Sequence, residues 1–582
     1  MSKIDNIRHS LSHIMAMAIK NLYSNVSLGI GPTIENGFYY DFSFKENLTE
    51  KDLPKIESEM KKIIAQNIDF KKEEKSIQEA KRIFKNEPYK LDLIKELEES
   101  GEKHVFIYES GNFIDLCKGP HIGNSSEINS EAFKLTKVAG AYWRGSENSP
   151  QLQRIYGVAF EDKNKLKIYL ELQKEIEKRD HRVLGKKLDL FHIDEEVGPG
   201  LILWHPKGAL LKRLIENYVL DKYLEHDYQL VNTPHIAKLH LWETSGHVDF
   251  YKEGMFPAFH MEELGKEEKG DYQLKPMNCP FHMKIYKSDI RSHRDLPIRY
   301  TELGTVYRYE KSGTLHGLVR ARGFTQDDAH IFCADKDQLL DEIKKIIQLT
   351  KEILSKFGFE DYDIRLSVRD SKNKKKYMGS EKDWLAAEKM LERALKEENW
   401  KFQKDEGEAV FYGPKIDIKV KDDLGRMWQI STIQIDFNLP EKFDLNYINE
   451  KGKKEKPFVI HRALLGSLER FIGVLIEHYG GAFPLWIAPV QIKILPISDK
   501  HIEYGKEILD ELRSISFRVE MNKKNETVSK KIRESEIEKV PYLLIIGDRE
   551  IENKTVRVRE RGKGDIGEMK IKDFIKIIGK AE

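Results

Sequence analysis

Apolar residues recur every three or four positions at the start of the chain and give way to an aromatic run soon afterwards. The first pattern covers 5–22 and predicts an amphipathic helix. The next segment, 29–44, has glycines at its turns and an aromatic run, which predicts a β-hairpin. Charged helical patterns then occupy about 50–100, and 104–122 is typical of two strands with a tight turn. This part of the chain is therefore predicted to form a mixed α+β domain.

The same patterns divide the rest of the chain. A highly charged stretch, 161–187, carries apolar residues at helical spacing and is predicted to be a linking helix. A second strong helix is predicted over 206–226. Short strands then alternate with helices and glycine-rich turns to the end of a segment that we take as 188–483. A compact βαβα pattern follows and predicts a small α/β domain over 484–582.

The composition indicates a soluble protein with several domains. The chain has 582 residues, of which 40% are apolar, and at roughly 150 residues per domain it should form three or four domains. Its 98 basic and 97 acidic residues nearly cancel, so a nucleic acid would have to bind local patches of charge. No segment approaches the roughly 20 apolar residues of a membrane span, and no secretion signal is evident. Three cysteines argue against a disulfide scaffold, so we expect a cytoplasmic protein with no membrane partner.

Two pairs of potential metal ligands occur in the first domain. His9 and His13 lie four positions apart on the predicted first helix, about one turn from each other. Cys117 and His121 flank the predicted tight turn. Imidazoles and thiolates are the ligands that zinc prefers, so these residues form a candidate zinc site. Two unrelated pairs, one on a helix and one in a loop, explain the spacing equally well.

A second group of charged residues surrounds a glycine-containing loop in the middle of the chain. Arg308 and Glu310 precede this loop, and Arg320 and Arg322 follow it. Guanidinium groups can bind phosphate in a bidentate manner, so the arrangement suits a polyanion that carries a base. A solvated charged hairpin is the more ordinary interpretation. Further on, Gly466 and a Glu-Arg pair precede an apolar helix, where an ordinary helix start is the alternative.

These residues resemble the motifs of a known class of enzymes. Arg308-x-Glu310 in a hairpin resembles motif 2 of the class II aminoacyl-tRNA synthetases, and Gly466 with Glu469-Arg470 resembles motif 3. VNTPHIAKLHLWETSGH resembles motif 1, which forms the dimer interface in that class. The chain is similar to the threonyl-tRNA synthetases in particular through RHSLSHIM, GPTIENGFYYDF, DLCKGPH, KPMNCP, RGFTQDDAHIF, FYGPKIDI and HRALLGSLERFIG. The similarity extends over nearly the whole chain.

The resemblance implies a multidomain α+β fold with a class II catalytic core built on an antiparallel sheet. We expect an α+β editing domain at 1–160, a linking helix at 161–187, the catalytic domain at 188–483 and an α/β anticodon-binding domain at 484–582. Many bacterial members carry a small ubiquitin-like domain before the RHS…H motif. This chain begins almost at that motif, so we expect that domain to be absent.

The activity that the resemblance implies is ATP- and Mg²⁺-dependent ligation of threonine to tRNA(Thr) through a threonyl-adenylate, by a homodimer. The family holds one zinc ion with residues that match Cys279, His330 and His461. Three protein ligands leave zinc open positions, which the amine and hydroxyl of threonine can fill. Valine lacks the hydroxyl, and rejection of such a substrate can reach about 10⁴–10⁵-fold. The threonine pocket of the family matches Gln326, Asp328 and Tyr412, with Asp328 as the acceptor of the substrate hydroxyl.

Further matches imply which residues bind ATP. Arg308 is expected to bind the α-phosphate and the threonine carboxylate, and Lys415 is expected to contact the same phosphate. Glu310 should meet the adenine end, whereas Arg320 and Arg470 should hold the outer phosphates. These roles are positioning and electrostatic, as chemistry at a phosphoryl centre requires.

Two further residues match family positions that act in the transfer of threonine to tRNA. His247 corresponds to a family histidine proposed as the general base for the 2′-hydroxyl of the terminal adenosine of tRNA, with Gln434 beside it. An imidazole that titrates near neutrality suits that task.

Serine creates the need for a second, hydrolytic site. It has both an amine and a hydroxyl, and loss of one methyl group is worth only about 10–200-fold in discrimination. The editing site of the family maps onto His9, His13, Lys90, Asp115, Cys117 and His121. A related motif in alanyl-tRNA synthetases holds zinc, but in the threonyl enzymes we expect these residues to orient tRNA and water without a required metal. The expectation is therefore one zinc per chain.

The last domain is similar to the anticodon-binding domain of several class II enzymes. Bases of a single-stranded loop would be read by stacking and by hydrogen bonds to their edges. The residues that align with base-reading positions are Asn525, Arg533, Glu550 and Arg559. Solvent-facing charges on a small domain are the alternative interpretation.

Three positions depart from the family pattern. Phe281, beside the predicted zinc ligand Cys279, stands where the family usually has glycine. Tyr309 replaces a small polar residue, and IST at 430–432 departs from the cysteine-glycine common nearby. None of these changes removes a predicted ligand, so we expect them to affect pocket shape and rates.

Other functions are consistent with parts of the sequence. A prolyl enzyme of the same class shares the C-terminal domain, but it would not need the zinc residues. An RNA-binding regulator without catalysis would not need Arg308, Lys415 and Arg470. A metallohydrolase that uses only the first domain would leave two-thirds of the chain unexplained.

Overall fold

The structure, a computed structural model, describes residues 2–146, 149–261, 270–373 and 376–579. The chain forms two compact units, Met1–Glu175 and Ile176–Glu582. Among the helices within the described ranges, none combines the length and the apolar composition that crossing a bilayer requires.

The first unit begins with a helix whose start is capped by its own sequence. Ser2 accepts a hydrogen bond from the backbone N–H of Asp5, and the carboxylate of Asp5 accepts one from the backbone N–H of Ser2. This capping box satisfies two donors that a helix start leaves free. The apolar side of the helix, which includes Leu11, Ile14 and Ala18, is fully buried, as its spacing predicts. The helices of this part of the chain are α1 (Lys3–Leu22), α2 (Leu53–Ile64), α3 (Ile77–Ile83), α4 (Pro88–Glu99) and α5 (Lys163–Arg179).

Two antiparallel sheets complete the first unit. Their strands are β1 (Ser27–Leu28), β2 (Thr33–Ile34), β3 (Gly37–Ser43), β4 (Lys71–Ser76), β5 (His104–Ser110), β6 (Phe113–Leu116), β7 (Phe133–Tyr142) and β8 (Gln151–Ala159). The larger sheet has the order β1-β3-β8-β7, with β2 paired to β3 as the predicted hairpin, and the smaller sheet is β4-β5-β6. Strand β4 lies where helix was predicted, so that prediction was wrong. Its sequence KKEEKS has five charged residues and a serine, and pairing with β5 determines its conformation.

An eight-stranded sheet forms the centre of the second unit. Its order is β11-β16-β17-β24-β21-β20-β18-β19, and only the two outermost pairs are parallel. The predicted antiparallel core is thereby confirmed. The strands of this region are β9 (Phe191–His192), β10 (Leu203–Trp204), β11 (Gln229–Leu230), β12 (Ile236–Lys238), β13 (Phe259–Met261), β14 (Gly270–Leu274), β15 (Arg291–Ser292), β16 (Ile298–Tyr307), β17 (Gly323–Cys333), β18 (Tyr362–Val368), β19 (Phe402–Glu406), β20 (Lys415–Lys421), β21 (Met427–Asp436), β22 (Tyr447–Ile448), β23 (Lys454–Glu455) and β24 (Phe458–Ser467).

Helices pack against one face of this sheet and leave the other face for polar side chains. The helices of the region are α6 (His181–Lys187), α7 (Pro206–Glu225), α8 (His240–Ser245), α9 (His247–Phe250), α10 (Cys279–Lys287), α11 (Lys336–Lys356), α12 (Glu381–Glu397), α13 (Leu439–Lys442) and α14 (Leu468–His478). Residues Ala329, Ile331 and Cys333 of β17 join the apolar core with α7, α11 and α14. Because side chains alternate along a strand, the even-numbered residues of β17 project from the opposite face.

The C-terminal part forms a five-stranded sheet with helices, as its pattern predicts. Strand β25 pairs in parallel with β26 and β27, and β27, β28 and β29 continue in antiparallel order. The elements are β25 (Ile492–Pro496), α15 (Ile502–Ser514), β26 (Val519–Met521), α16 (Val528–Ile537), β27 (Tyr542–Ile546), α17 (Asp548–Asn553), β28 (Val556–Glu560), β29 (Gly564–Met569) and α18 (Ile571–Ile578).

The predicted linking helix is two helices in the structure. Helix α5 ends at Arg179, and α6 begins at His181 after Asp180, whose carboxylate accepts a hydrogen bond from the backbone N–H of Arg182 at 2.8 Å. Asp180 adopts φ −48° and ψ 124°, which is not helical, so it caps the second helix and interrupts the first. The prediction of a single helix over 161–187 was therefore wrong. The predicted domain boundaries at 160, 187 and 483 stay predictions.

Candidate active site and editing site

Four of the predicted residues form one row across the central sheet. His330 of β17 pairs with His461 of β24, which pairs with Gln434 of β21, which in turn pairs with Lys415 of β20. Opposed residues of antiparallel strands project on the same face. Side chains that are far apart in the sequence are therefore brought together on one face of the sheet by the strand register.

This surface is the floor of a cavity of about 550 Å³. The cavity collects every residue predicted for threonine, metal and α-phosphate, together with Gln434 of the transfer step: Cys279, Arg308, Gln326, Asp328, His330, Tyr412, Lys415, Gln434 and His461. Gln326, Asp328 and His330 alternate along β17 and so share its polar face. The Tyr412 hydroxyl donates to Oε1 of Gln434 at 2.7 Å. Burial raises the pKa of Asp328, whose Oδ2 accepts a hydrogen bond from Asn278 at 3.1 Å.

The predicted zinc ligands lie together inside this cavity. One ligand atom from each of Cys279, His330 and His461 lies within 4.8 Å of the others, and all three residues are buried. Nε2 of His461 is 2.8 Å from Oδ2 of Asp436, whose other oxygen accepts from two backbone N–H groups. Asp436 is therefore an acceptor, Nε2 of His461 carries the proton, and Nδ1 presents a lone pair toward His330. Two imidazoles, a thiol and a carboxylate that orients one imidazole fit a zinc ion.

Lys415 is held at the cavity by a carboxylate that the sequence analysis did not single out. Asp417 forms an ion pair with Lys415 and accepts hydrogen bonds from Ser367, Gln429 and Thr432 at 2.7–3.0 Å. Asp417 follows Lys415 at the two-residue spacing of one strand face, and this spacing was the available signal. The ammonium group is therefore fixed in place before any anion binds.

The predicted ATP residues lie on the loop between β16 and β17 and at the start of α14. Arg308 follows β16, donates to the carbonyl oxygen of Pro276 at 3.3 Å and stacks its guanidinium 5.1 Å from the ring centre of Phe324. Across the loop, Nε of Arg320 donates to Oε2 of Glu310 at 2.9 Å. These three side chains therefore belong to one loop, as their spacing predicts.

Arg470 lies in the first turn of α14 with an unsatisfied donor. Its buried Nε has no hydrogen-bond partner in the described part of the chain. Burial and the positive charge of Arg320 lower the pKa of Arg470. The guanidinium groups of Arg320 and Arg470 repel each other near the N-terminus of α14. An anion bound between them would relieve this repulsion.

His247 lies at the edge of the cavity, directly after Gly246. Gly246 has φ +84°, and this left-handed turn separates α8 from α9. His247 is almost completely buried and lines a small neighbouring cavity with Cys279 and Tyr412. Burial lowers the pKa of His247 to about 4. The imidazole is therefore neutral at physiological pH.

The first unit brings together the other four candidate ligands. His9 and His13 of α1 meet Cys117 and His121, with one ligand atom from each within 4.8 Å of the others. Sγ of Cys117 lies 3.3 Å from Nε2 of both His9 and His121. Burial raises the pKa of Cys117 to about 12, so the thiol keeps its proton and can donate it to one of these two imidazoles. Burial also lowers the pKa values of the three histidines.

Lys90 and Asp115 form a buried ion pair beside this cluster, and a tyrosine completes it. Tyr40, which the sequence analysis missed, donates to Oδ2 of Asp115 at 2.6 Å and accepts from Nζ of Lys90 at 3.1 Å. Nε2 of His13 is 3.5 Å from Oδ2 of Asp115. All four side chains are at most 2% exposed. A polar hydroxyl within the apolar face of β3 was the only sequence signal for Tyr40.

The predicted anticodon residues have different environments. Asn525 and Arg533 are exposed, in the loop before α16 and on that helix. Arg559 donates to Glu536 at 3.4 Å. Glu550 is buried in the first turn of α17, where its carboxylate accepts from the backbone N–H of Gly547 at 2.9 Å. The exposed pair is therefore more accessible to RNA than Glu550.

The three departures from the family pattern are accommodated differently. Phe281 is buried in an apolar cluster with Trp242 and Met255. Tyr309 is 49% exposed, with its ring 5.5 Å from that of Phe256. Ser431 is buried, and its hydroxyl donates to a backbone carbonyl oxygen. None of the three displaces a predicted ligand from the cavity.

Family models match three segments of the chain. Residues 259–479 match the tRNA synthetase class II core domain (G, H, P, S and T), and residues 491–581 match an anticodon binding domain. Residues 105–156 match the threonyl and alanyl tRNA synthetase second additional domain. These segments contain the motif 2 and motif 3 residues, the C-terminal sheet, and Cys117 with His121.

Individual relatives match almost the full chain. The threonine–tRNA ligase of Sulfurihydrogenibium is 50% identical over 577 residues, which are 98% of this chain and 88% of the relative. That of Borreliella burgdorferi is 49% identical over 571 residues, which are 98% of this chain and 96% of the relative. A solved structure described as the RNA binding domain of threonyl-tRNA synthetase from Cryptosporidium parvum has a TM-score of 0.65 at 39% identity, and covers 69% of this chain and 98% of that one. The chain belongs to the threonine–tRNA ligase family of class II aminoacyl-tRNA synthetases.

Proposed function

We propose that this chain joins L-threonine to tRNA(Thr) through a threonyl-adenylate, with ATP and Mg²⁺, and hydrolyses mischarged seryl-tRNA(Thr) at a second site. One observation carries the synthetic part: a single cavity holds the Cys279, His330 and His461 cluster beside Arg308 and Lys415. An amino acid and a triphosphate that share this cavity would have their reacting groups side by side.

In the first step, a carboxylate oxygen of threonine attacks the α-phosphorus of ATP and pyrophosphate leaves. Arg308 and Lys415 would hold the two anionic reactants together and stabilise the charge that develops on the phosphoryl oxygens. Arg320 and Arg470 would bind the β- and γ-phosphates, which would relieve their mutual repulsion. When ATP binds, Arg320 would exchange its hydrogen bond to Glu310 for the phosphates. Glu310 would then accept a hydrogen bond from the adenine amino group.

Selection of threonine would depend on Cys279, His330 and His461 as the holders of one zinc ion. Zinc, when bound, supplies a Lewis-acidic centre with open positions for an amine and a hydroxyl. Asp328 would accept the proton of the substrate hydroxyl in a hydrogen bond, and Gln326 and Tyr412 would shape the pocket around it. Valine would leave Asp328 without its donor, and this loss disfavours valine strongly.

In the second step, the 2′-hydroxyl of the terminal adenosine of tRNA attacks the activated carbonyl and AMP leaves. Nε2 of His247 would accept the hydroxyl proton, because this nitrogen carries a lone pair when Nδ1 donates to Ser245. Gln434, oriented by the hydroxyl of Tyr412, would hold the ribose. A positioned general base contributes about 10²–10⁴-fold.

Seryl-tRNA would be hydrolysed in the first unit. The buried Lys90, Asp115 and Tyr40 would orient the ester and a water molecule, and the cluster of His9, His13, Cys117 and His121 would bind the terminal adenosine. This site would work without a required metal, because the high pKa of Cys117 keeps its thiol protonated when no metal is bound. The match of this region to the second additional domain supports the assignment.

A homodimer is supported by exposed apolar side chains in the motif 1 segment and in the residues before it. Between β9 and β12, seven large apolar side chains are at least 36% exposed: Ile193, Val197, Leu203, Leu210, Leu224, Leu230 and Ile236. Apolar side chains concentrated in this way are typical of subunit interfaces. Sedimentation of the full chain should give the mass of a dimer, and Leu230→Asp should give a monomer. The cytoplasmic location expected from the sequence stays a prediction.

Amino-acid-dependent ATP–pyrophosphate exchange tests the proposed synthetic activity. We expect strong exchange with threonine, weaker exchange with serine, none with valine, and loss of all exchange after a zinc chelator. Lys415→Met should abolish exchange while retaining zinc, which separates loss of chemistry from loss of metal. Exchange with a different amino acid, or no exchange in a folded dimer, would contradict the proposal.

A further inference from the structure

A chain of hydrogen bonds leads from a buried lysine to the metal ligand His330. It passes from Lys275 through Thr233 and Glu302 to His282, and from His282 to His330. None of these side chains is more than 5% exposed. For each hydrogen bond in this series, the chemistry of the two groups decides which one donates and which one accepts.

The first half of this series of hydrogen bonds, from Lys275 to Glu302, makes Glu302 an acceptor. Nζ of Lys275 lies 2.8 Å from Oγ1 of Thr233, and because an amine nitrogen donates here, Oγ1 accepts. The hydroxyl proton of Thr233 is then directed to Oε1 of Glu302 at 2.7 Å, and the backbone N–H of Thr233 donates to Oε2 at 3.1 Å. Both carboxylate oxygens of Glu302 therefore accept hydrogen bonds from Thr233.

The second half fixes the two imidazoles. Nε2 of His282 lies 3.1 Å from Oε1 of Glu302, so it carries a proton and Nδ1 of the same ring presents a lone pair. That lone pair faces Nδ1 of His330 at 2.8 Å, so Nδ1 of His330 must donate. The remaining nitrogen of His330, Nε2, is then left with a lone pair.

The lone pair on Nε2 of His330 faces a second lone pair, on Nδ1 of His461. Nε2 of His330 lies 2.9 Å from Nδ1 of His461, which has a lone pair because Asp436 takes the proton of the other nitrogen. Two lone pairs at this separation repel each other. A bound cation is the partner that satisfies both nitrogens.

We propose that His282 and Glu302 are positioning residues that hold His330 in the tautomer whose Nε2 can bind zinc. The inference depends on the proposed zinc site, and it adds that the site is set by a path that begins at Lys275. Thr233 lies near the start of the motif 1 segment, so this segment would also determine the state of the metal ligand.

Zinc affinity of the metal-stripped full chain, measured by competition with a chromogenic chelator, tests this inference. His282→Leu and Glu302→Gln should weaken zinc binding about 10–100-fold, the usual effect of losing a group that orients a ligand. His282→Asn should recover much of the affinity lost in His282→Leu, because its amide oxygen can take the place of Nδ1 as acceptor. Thr233→Val should give a smaller loss, since the backbone donor to Glu302 remains.

Thr350→Val is the matched control, because Thr350 is fully buried on α11 and its hydroxyl donates only within that helix. It should bind zinc as the unchanged chain does, and thermal unfolding of each metal-free variant reports whether it folds. Equal zinc affinity in the unchanged chain, Glu302→Gln and Thr233→Val would overturn the inference, even if His282→Leu fails to fold. Absence of zinc binding by the unchanged chain would instead contradict the proposed zinc site.

Discussion

The hydroxyl of Ser245 lies 2.7 Å from Nδ1 of His247 and donates its own proton to the carbonyl oxygen of Trp242. It must therefore accept from Nδ1–H of His247, which leaves the lone pair on Nε2. Nε2 in turn lies 3.1 Å from Sδ of Met277, a weak partner that does not compete for the lone pair. Ser245 thus selects the tautomer that a general base at this position needs.

Removal of this base should separate the two steps of synthesis. His247→Ala should slow aminoacyl transfer about 10²–10⁴-fold while adenylate formation changes little, because the imidazole lines the edge of the cavity and not the phosphate site. Single-turnover transfer from preformed adenylate, beside ATP–pyrophosphate exchange, measures both steps. Ser245→Ala should lower only transfer and by a smaller factor. Equal loss of both steps in His247→Ala would remove this role.

The pH dependence of transfer should follow from the same residue. Because burial lowers the pKa of His247 to about 4, the basic form is fully populated at pH 6 and above. The rate of transfer should therefore be flat from pH 6 to 8 and fall only as the pH approaches 4. A midpoint near 6.5, the ordinary value for histidine, would contradict the buried environment.

Arg470 should act on ATP and not on threonine. Arg470→Gln should raise KM for ATP and lower kcat of exchange about 10²–10³-fold, with KM for threonine nearly unchanged. Since Arg320 and burial already disfavour the guanidinium, the ligand-free variant should unfold at the same or a higher temperature. ATP should raise that temperature less in the variant than in the unchanged chain. Arg393→Gln, on the exposed face of α12, is the control and should behave as the unchanged chain.

The buried triad of Lys90, Asp115 and Tyr40 should matter for editing alone. Tyr40→Phe removes one hydroxyl that donates a hydrogen bond to Asp115 and accepts one from Lys90. The side chains of Asp115 and Lys90 should therefore change position. Hydrolysis of seryl-tRNA should fall about 10²-fold, the effect of a small displacement of a positioned group, while threonine exchange is unchanged. Tyr39→Phe, on the other face of β3, should leave hydrolysis intact. An equal effect of both substitutions would indicate a general loss of packing.

Much of the fold follows from local patterns, and the exceptions have physical causes. Helices α1 and α7 have the apolar spacing that their sequences predict, and the hairpin of β2 and β3 has its glycine turn. Strand β4 was missed because six charged or hydroxyl-bearing residues carry no strand pattern, and pairing with β5 supplies the preference. Local sequence determines an element only where no partner strand competes.

The site was predictable through motifs, but its geometry was not. The alternation of Gln326, Asp328 and His330 is visible in the sequence, and it places all three on one face of a strand. The register that sets His330 against His461 joins positions more than a hundred residues apart, and no local pattern determines such pairing. The same holds for Asp436, whose role arises from its contact with His461 on the neighbouring strand.

The number of zinc ions per chain distinguishes the two clusters of histidine and cysteine. In the cavity, the lone pairs of His330 and His461 face each other and a cation would satisfy both, whereas in the first unit the protonated thiol of Cys117 can donate a hydrogen bond to one of its two neighbouring imidazoles. Metal analysis of the full chain should therefore give one zinc, and Cys279→Ser should remove it. Cys117→Ser should leave the zinc content at one. Two zinc ions per chain, reduced to one by Cys117→Ser, would assign a metal to the editing cluster.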